Sequence, residues 1–434
     1  MADSGFVCVD FGSTFTKAAH VSADGELVRT AGSRTTIDTD VLDGLDACLD
    51  ALGRPDAELL ACSSAGGGLR IAVVGNEELV TAEAGRRVAL SSGGRVVSVT
   101  AGVPTLESLG APDVVLLTGG TDGGNAEVLL ACAEALRAFD GPIVVAGNRE
   151  APVADVLAGR TFVVADNVMP RIGVLEPDSA RAAIREMFLA HVIGGKHLSS
   201  RGGFLEMVRG ATPDVVLTAV ELLAEQVGDV AVVDVGGATT DVHSVVDLDP
   251  DSVGREVVAT TRVTRTVEGD LGMRWSAVST VEAAYAAGLL EESELALARV
   301  GAQGRQSHPD YLPDGPASRD LDLRIAAAAI GLALRRHAGR SQVVYSPEGR
   351  VVERTGKDLR TLGLLVGSGG VLRHADDPAG ALTRHLTTDE GWQLPENPRI
   401  VIDRDYVLAA AGLLAEEHPE AARALLAAQL HPAP

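Results

Sequence analysis

The chain has 434 residues, enough for roughly two to three ordinary domains. It carries 60 Asp and Glu against 37 Lys and Arg, a formal net charge of −23. That balance argues against a nucleic-acid partner held by phosphate neutralisation and disfavours an anionic membrane surface. Hydrophobic residues make up 46% and aromatics only 3%, so the core of this globular chain has to be built from Ala, Val and Leu. Cys8, Cys48, Cys62 and Cys132 show no C-x-x-C spacing and read as reduced, buried small hydrophobes. The chain opens without a basic and then apolar leader, and no apolar run reaches the roughly 18 residues of a membrane helix. The expected compartment is the cytoplasm.

In chain order, short Val/Ile/Leu runs end in Gly-rich loops and alternate with Ala/Leu/Glu helical stretches, the signature of an α/β fold with buried, largely parallel strands. Phe6–Asp10 is a strand, followed by a loop over Phe11–Lys17. Ala18–Ser22 and Glu26–Ala31 form a hairpin around Ala23-Asp24-Gly25. Asp40–Leu52 is helical and Leu59–Cys62 is a strand. Residues 70–175 read as a unit of their own, with strands at Val114–Thr118, Ile143–Ala146 and Thr161–Val164 and helices at Ala126–Phe139 and Val153–Ala158. Its Gly119–Gly124 and Gly147-Asn148 turns match neither G-x-G-x-x-G nor a Walker pattern. Helices follow at Asp178–Val192 and at Thr212–Val227, the latter opened by Pro213 in its first turn. Val230–Val235 is a strand, and Gly301–Asp320, with its prolines and glycines, is a long surface loop. Leu321–His337 is an Ala-rich helix, Thr361–Val366 a buried strand and Tyr406–Glu416 a small-residue helix.

Three loops carry the chemistry. The first, Asp10-Phe11-Gly12-Ser13-Thr14-Phe15-Thr16-Lys17, follows a buried strand directly. An Asp at a strand's end is placed to hold magnesium through water, which that ion rarely surrenders. Gly12 lets the backbone approach a phosphate, Ser13 and Thr14 offer N–H and hydroxyl donors, and Lys17 can neutralise phosphate charge. The same logic returns at Asp234-Val235-Gly236-Gly237-Ala238-Thr239-Thr240-Asp241: a strand ends at Asp, two glycines turn, hydroxyls follow, and a second Asp re-enters a strand. Two such loops can form a pincer on a polyphosphate and its metal, and their recurrence points to two similar halves. The third loop, Val366-Gly367-Ser368-Gly369-Gly370, bears no acid or base and suits packing against a base or ribose.

The ordered trio resembles the phosphate-1, phosphate-2 and adenosine motifs of the actin, sugar-kinase and heat-shock-chaperone ATPase superfamily. That resemblance implies two ribonuclease-H-like lobes with ATP in the cleft, linked by helices for which Thr212–Val227 and Tyr406–Glu416 are the candidates. It implies an N-terminal lobe begun by residues 1–69 and completed, with the linking helix, by residues 176–228. A C-terminal lobe would cover residues 229–434, and residues 70–175 would be an inserted Rossmann-like module. By the same resemblance Asp10 and Asp234 organise Mg2+, through water. Lys17, Gly12, Ser13, Thr14, Gly236, Gly237, Thr239 and Thr240 contact phosphates, and Gly367, Gly369 and Gly370 line the adenosine pocket. The water-orienting Glu or Gln of many relatives is missing from Ala211-Thr212-Pro213-Asp214, leaving Asp214 or Glu221, both expected to face solvent, as stand-ins.

Within the superfamily the chain resembles the glutamate mutase accessory (GlmL or MutL) family. It does so at the two Asp-bearing loops and at the more family-specific Thr266-Val267-Glu268-Gly269-Asp270-Leu271-Gly272-Met273-Arg274. The resemblance implies an ATP-dependent reactivating or assembly protein for adenosylcobalamin-dependent carbon-skeleton mutases. The inserted module would supply its natural partner-facing surface. A small-molecule kinase would need an acid near the acceptor hydroxyl, and none stands out in the sequence. An actin-like filament protein is the remaining alternative. No His-Glu-x-x-His or His-x-x-x-His pair points to zinc.

Overall fold

The computed structural model describes residues 5–65, 68–247, 261–346, 349–386 and 391–430. Its strands are β1 (Phe6–Phe11), β2 (Phe15–Val21), β3 (Leu27–Arg34), β4 (Glu58–Ser63), β5 (Leu69–Gly75), β6 (Gly94–Ala101), β7 (Val114–Leu117), β8 (Ile143–Val145), β9 (Phe162–Val164), β10 (Val208–Ala211), β11 (Val230–Val235), β12 (Thr240–Val245), β13 (Val263–Glu268), β14 (Arg340–Ser346), β15 (Gly349–Thr355), β16 (Leu364–Ser368) and β17 (Arg399–Ile402).

Two five-stranded sheets share one plan. In the order β10-β4-β1-β2-β3, β1 to β3 form an antiparallel meander and β4 and β10 add in parallel. In the order β13-β12-β11-β16-β17, β11 to β13 repeat the meander, and β16 and β17 repeat the parallel additions. This duplicated order is the pair of ribonuclease-H-like lobes expected from the sequence. Both central strands, FVCVDF and VAVVDV, are apolar almost throughout, as a strand covered on both faces must be. The chain divides into two compact units, with boundaries that fall within the Thr212–Val227 helix, at the start of the Val407–Leu414 helix and within the Pro419–Leu430 helix.

The third sheet is inserted between β4 and β10 and is wholly parallel, in the order β6-β5-β7-β8-β9. Numbered within the insert, that is the doubly wound order 2-1-3-4-5. β7 to β9 are the three strands expected in this span, and β5 and β6, not expected from the sequence, complete the sheet. The insert is not an isolated body. Ile71, Val73, Val114, Leu116 and Val144 from one of its faces join the same core as Val7, Val9 and Phe11 of the first sheet. Its other face closes over Leu129, Cys132 and Leu136 of the Glu127–Leu136 helix.

The expected loop at Gly301–Asp320 is largely helical. One helix runs Glu292–Ser307 and the next Pro316–His337. Pro316 stands in the first turn of the second helix, where a proline costs no hydrogen bond. Gly301 is where the two helices meet, because a Cβ there would lie 2.2 Å from the Leu321 side chain. Gly301, Gly304 and Pro316 lie within helices, at positions where they break nothing.

Candidate functional site

Asp10 and Asp234 occupy the same position, the fifth residue of their strands. Each is followed by the same closure: the Gly12 N–H donates to the Phe15 carbonyl at 3.2 Å, and the Gly236 N–H donates to the Thr239 carbonyl at 2.9 Å. Register then returns a partner beside each Asp. Lys17 lies opposite Asp10, and Asp241 lies opposite Asp234.

In the first unit the Asp10 carboxylate is buried, with Lys17 Nζ 3.8 Å from Oδ2 and the Thr212 hydroxyl donating to Oδ1 at 2.6 Å. Thr212 opens the 16-residue helix Thr212–Val227, so that helix starts against the Asp10 carboxylate. Sequence reasoning missed this contact, because Thr212 and Asp10 lie 202 positions apart. Ser13 and Thr14 are exposed at the turn, whose Gly12 carbonyl accepts from the Thr35 hydroxyl at 2.8 Å. Cys62 is buried beside Asp10, and burial raises its thiol pKa well above the ordinary value, so it is a neutral neighbour.

In the second unit Gly236, Gly237 and Thr239 are part-exposed, and the Thr239 hydroxyl donates to Asp241 Oδ2 at 3.3 Å. Arg265 also donates to Asp241, at 2.9 Å. Thr240 differs from its expected role: its side chain is fully buried, which keeps its hydroxyl away from a surface-bound phosphate in this conformation. β16 runs parallel beside β11 and places Ser368 opposite Asp234, so the second and third loops leave neighbouring strand ends. Gly369, at φ 108°, passes so close to β11 that a Cβ would lie 2.3 Å from the Val235 carbonyl oxygen. Gly370 is exposed. Gly367 is not at the surface at all. It is packed under Leu372, Leu382 and Ile402, so it shapes the sheet and cannot itself line a pocket.

Asp214, expected to face solvent, is buried beside two arginines, and its Oδ1 has no hydrogen-bond partner. Arg185 Nε donates to Oδ2 at 2.6 Å, and Arg181 stands 3.9 Å from Oδ1. Both arginines come from the Asp178–Met187 helix. Glu221 is half-buried, roughly two and a half turns farther along its helix than Thr212.

The Asp10 carboxylate and the exposed Ser13 and Thr14 hydroxyls of the turn are oxygen groups of the kind a hard cation such as Mg2+ takes, although the Lys17 ammonium 3.8 Å from Oδ2 already balances part of the carboxylate's charge. Among the described residues the one group of three convergent metal-ligating side chains is Glu58, Glu417 and His418, which contains neither Asp10 nor Asp234. An ion at Asp10 would therefore keep most of its ligands from water or a bound phosphate.

A duplicated ribonuclease-H-like sheet with matching Asp–Gly turns defines the fold class of the actin, sugar-kinase and heat-shock-chaperone superfamily. Within it, the chain belongs to the MutL family, whose description "MutL protein" matches residues 6–430. Protein MutL of Clostridium tetanomorphum is 35% identical over 450 residues, covering 96% of this chain and 97% of that one. Solved structures that resemble the chain include a nucleotide-free acetone carboxylase from a study of ATP-dependent acetone carboxylation (15% identity, TM-score 0.41, 96% of this chain and 70% of that one). Another is the activator of the 2-hydroxyisocaproyl-CoA dehydratase from Clostridium difficile with bound ADPNP (10% identity, TM-score 0.33, 96% of each chain). A third is a ROK family glucokinase from Streptomyces griseus in complex with glucose and AMPPNP (13% identity, TM-score 0.33, 98% of this chain and 100% of that one). No helix among the described residues is long and apolar enough to cross a membrane.

Proposed function

We propose that the chain is an ATP-binding, slowly hydrolysing accessory protein that reactivates or assembles an adenosylcobalamin-dependent carbon-skeleton mutase such as glutamate mutase, in the cytoplasm. The observation that carries this reading is the repeated turn on β1 and β11, Asp then Gly with the same N–H to carbonyl closure, in a chain of the MutL family. Asp10 and Asp234 would hold Mg2+ through water, and the ion would supply charge neutralisation at the phosphates. Ser13, Thr14, Gly236, Gly237 and Thr239 would hold the phosphates by N–H and hydroxyl groups, Lys17 would balance their charge, and the exposed Gly370 would border the adenosine, with buried Gly369 shaping the turn before it.

The protein's own part in turnover is positioning, and one part of it is incomplete. Asp214 is buried, with Oδ2 held by Arg185 and Oδ1 facing Arg181 at 3.9 Å without a hydrogen bond, and the Thr212 hydroxyl is given to Asp10, so neither is presented at the surface to orient an attacking water. Hydrolysis should therefore be slow until a partner completes the site. A nucleotide-dependent preference for one conformation would then act on the partner through differential affinity.

The test is ATP turnover by the purified chain with and without the mutase. The expected result is slow basal release of phosphate, accelerated by the mutase, with no phosphorylated metabolite. Basal turnover as fast as a metabolic kinase's, or transfer of phosphate to a small molecule, would overturn the proposal.

A further inference from the structure

The segment Met273–Ser276, which continues from the end of the family-specific run, folds back onto the Gly236–Gly237 turn. The Met273 N–H donates to the Gly236 carbonyl at 3.0 Å, and the N–H groups of Arg274 and Trp275 donate to the Gly237 carbonyl at 2.7 and 2.9 Å. The Ser276 hydroxyl donates to the Ala238 carbonyl at 2.7 Å. Three successive carbonyls of the turn are thus drawn to one side. In a planar trans peptide the N–H opposes the C=O, so this clasp turns the N–H groups of Gly237, Ala238 and Thr239 to the other side. Successive N–H groups presented together form a concavity suited to an anion.

Arg274 does more than donate its N–H. Its Cβ and Cγ lie 3.7 Å from the place a Cβ on Gly237 would take, so its stem covers the turn. Its guanidinium donates to the Met273 carbonyl at 2.8 Å, the Tyr311 carbonyl at 3.1 Å and Asp322 Oδ2 at 3.2 Å. Asp322 is 4% exposed, and its other oxygen accepts from Arg305, itself 4% exposed. Arg305 belongs to the Glu292–Ser307 helix and Asp322 to Pro316–His337, and Arg305 also donates to the Gly301 and Ser318 carbonyls at 3.0 and 2.9 Å. One buried carboxylate is therefore shared by two guanidiniums, one fixed to the helix pair and one to the turn. Desolvation cancels most of the attraction in such a triad, while loss of one member leaves the others uncompensated, so the three side chains hold one another in a fixed arrangement.

Resting on the proposed function, the geometry points to Arg274 as the positioning residue of the phosphate-holding turn, linked through Asp322 to Arg305. Arg274 keeps the N–H groups of the turn aimed at the terminal phosphates, and the state of the turn reaches the Glu292–Ser307 helix through Asp322. Lys could not replace it, since a single ammonium cannot reach Met273, Tyr311 and Asp322 in one planar fork.

The test measures Mg-ATP and Mg-ADP affinity by calorimetry for the full chain, Arg274→Gln, Arg274→Lys and Arg305→Lys. Trp275 fluorescence is followed in a Trp392→Phe background. Trp275 is 61% exposed beside the turn and Trp392 is the only other tryptophan, so the signal reports on the turn. Both Arg274 variants should weaken nucleotide binding by roughly tenfold or more, as loss of an outer-shell support does, and should blunt the Trp275 response. Arg305→Lys touches nothing in the turn and should still weaken binding by about threefold or more, a measurement that stands if the Arg274 variants fail to fold. A lower melting temperature with unchanged affinity and unchanged Trp275 response would show a structural role alone and overturn the inference. A wild-type chain that binds no nucleotide would overturn the proposed function and this inference together.

Discussion

Asp10 divides its carboxylate between a hydroxyl from Thr212 at 2.6 Å and the more distant Lys17 ammonium at 3.8 Å. Thr212→Val keeps the shape and removes the donor, so it should cost about 1 kcal/mol in chemical denaturation and raise the Mg2+ concentration needed for nucleotide binding. Asp214 calls for a different expectation. Asp214→Ala leaves Arg181 and Arg185 without their carboxylate and should destabilise the fold by about 3 kcal/mol, measured by denaturant midpoint, before any effect on turnover is considered. Lys357 is buried, with Nζ donating to Ser244 Oγ at 3.2 Å and the Arg262 carbonyl at 2.8 Å. Burial pulls its pKa down to about 7, with Arg262 adding to the fall and Asp229 opposing it. The native state thus binds fewer protons than the unfolded chain between about pH 7 and the ordinary lysine value. Stability should climb as pH rises through that window and be lowest, from this group, below it. Lys357→Met should flatten that slope in denaturation measured across the window. The Asp–Gly turns were legible because their residues are consecutive. Thr212 and the Arg274–Asp322–Arg305 link were not, because only the folded chain brings those positions together.

Elements were most legible where composition left no alternative. The Thr212–Val227 helix and the Val230–Val235 strand have the bounds read from their residues, and Asp40 caps the Val41–Leu52 helix by accepting from the Leu42 N–H at 2.9 Å. Strands β5 and β6 were missed because Gly75, Gly93 and Gly94 frame them and because β6 is an edge strand of mixed exposure. Small residues also mislead when their purpose is close packing. Gly412 in the Val407–Leu414 helix faces the Thr212–Val227 helix, and a Cβ at this position would lie 2.0 Å from the Val215 carbonyl oxygen. Gly412→Val should force the two candidate linking helices apart and lower stability by about 2 kcal/mol or more, read from thermal unfolding.

At the scale of the whole molecule the insert is both an addition and a support. It carries none of the three loops, which favours a role in recognition, yet its Ile71, Val73, Val114, Leu116 and Val144 fill the core of the first lobe. Cutting out residues 70–175 would strip that core, so point changes on its exposed side are the better probe. Leu79 and Ile172 are 75% and 72% exposed, and Leu79→Asp with Ile172→Asp should weaken capture of the mutase while leaving nucleotide affinity unchanged. Equal capture would leave the insert a purely structural layer. Acid should unfold the molecule early. Burial lowers His337 to about 3 and His385 to about 4, so the native state resists the protons that the unfolded histidines take up near pH 6.5. The denaturation midpoint should accordingly fall as pH drops from about 6.5 toward 4. The duplicated lobes were legible from the repeated Asp–Gly pattern. The shared core of the insert was not, since apolar runs do not reveal which sheet they face.

The Asp10 and Asp234 turns are expected to bind nucleotide, and calorimetric titration of Mg-ATP and Mg-ADP into the purified full chain is the decisive measurement. Both nucleotides should bind saturably, dependent on Mg2+, and binding should weaken by at least about tenfold in Asp234→Ala, where a carboxylate proposed to hold the metal is lost. Absence of binding by the wild-type chain, or equal binding by a folded Asp234→Ala variant, would contradict that expectation.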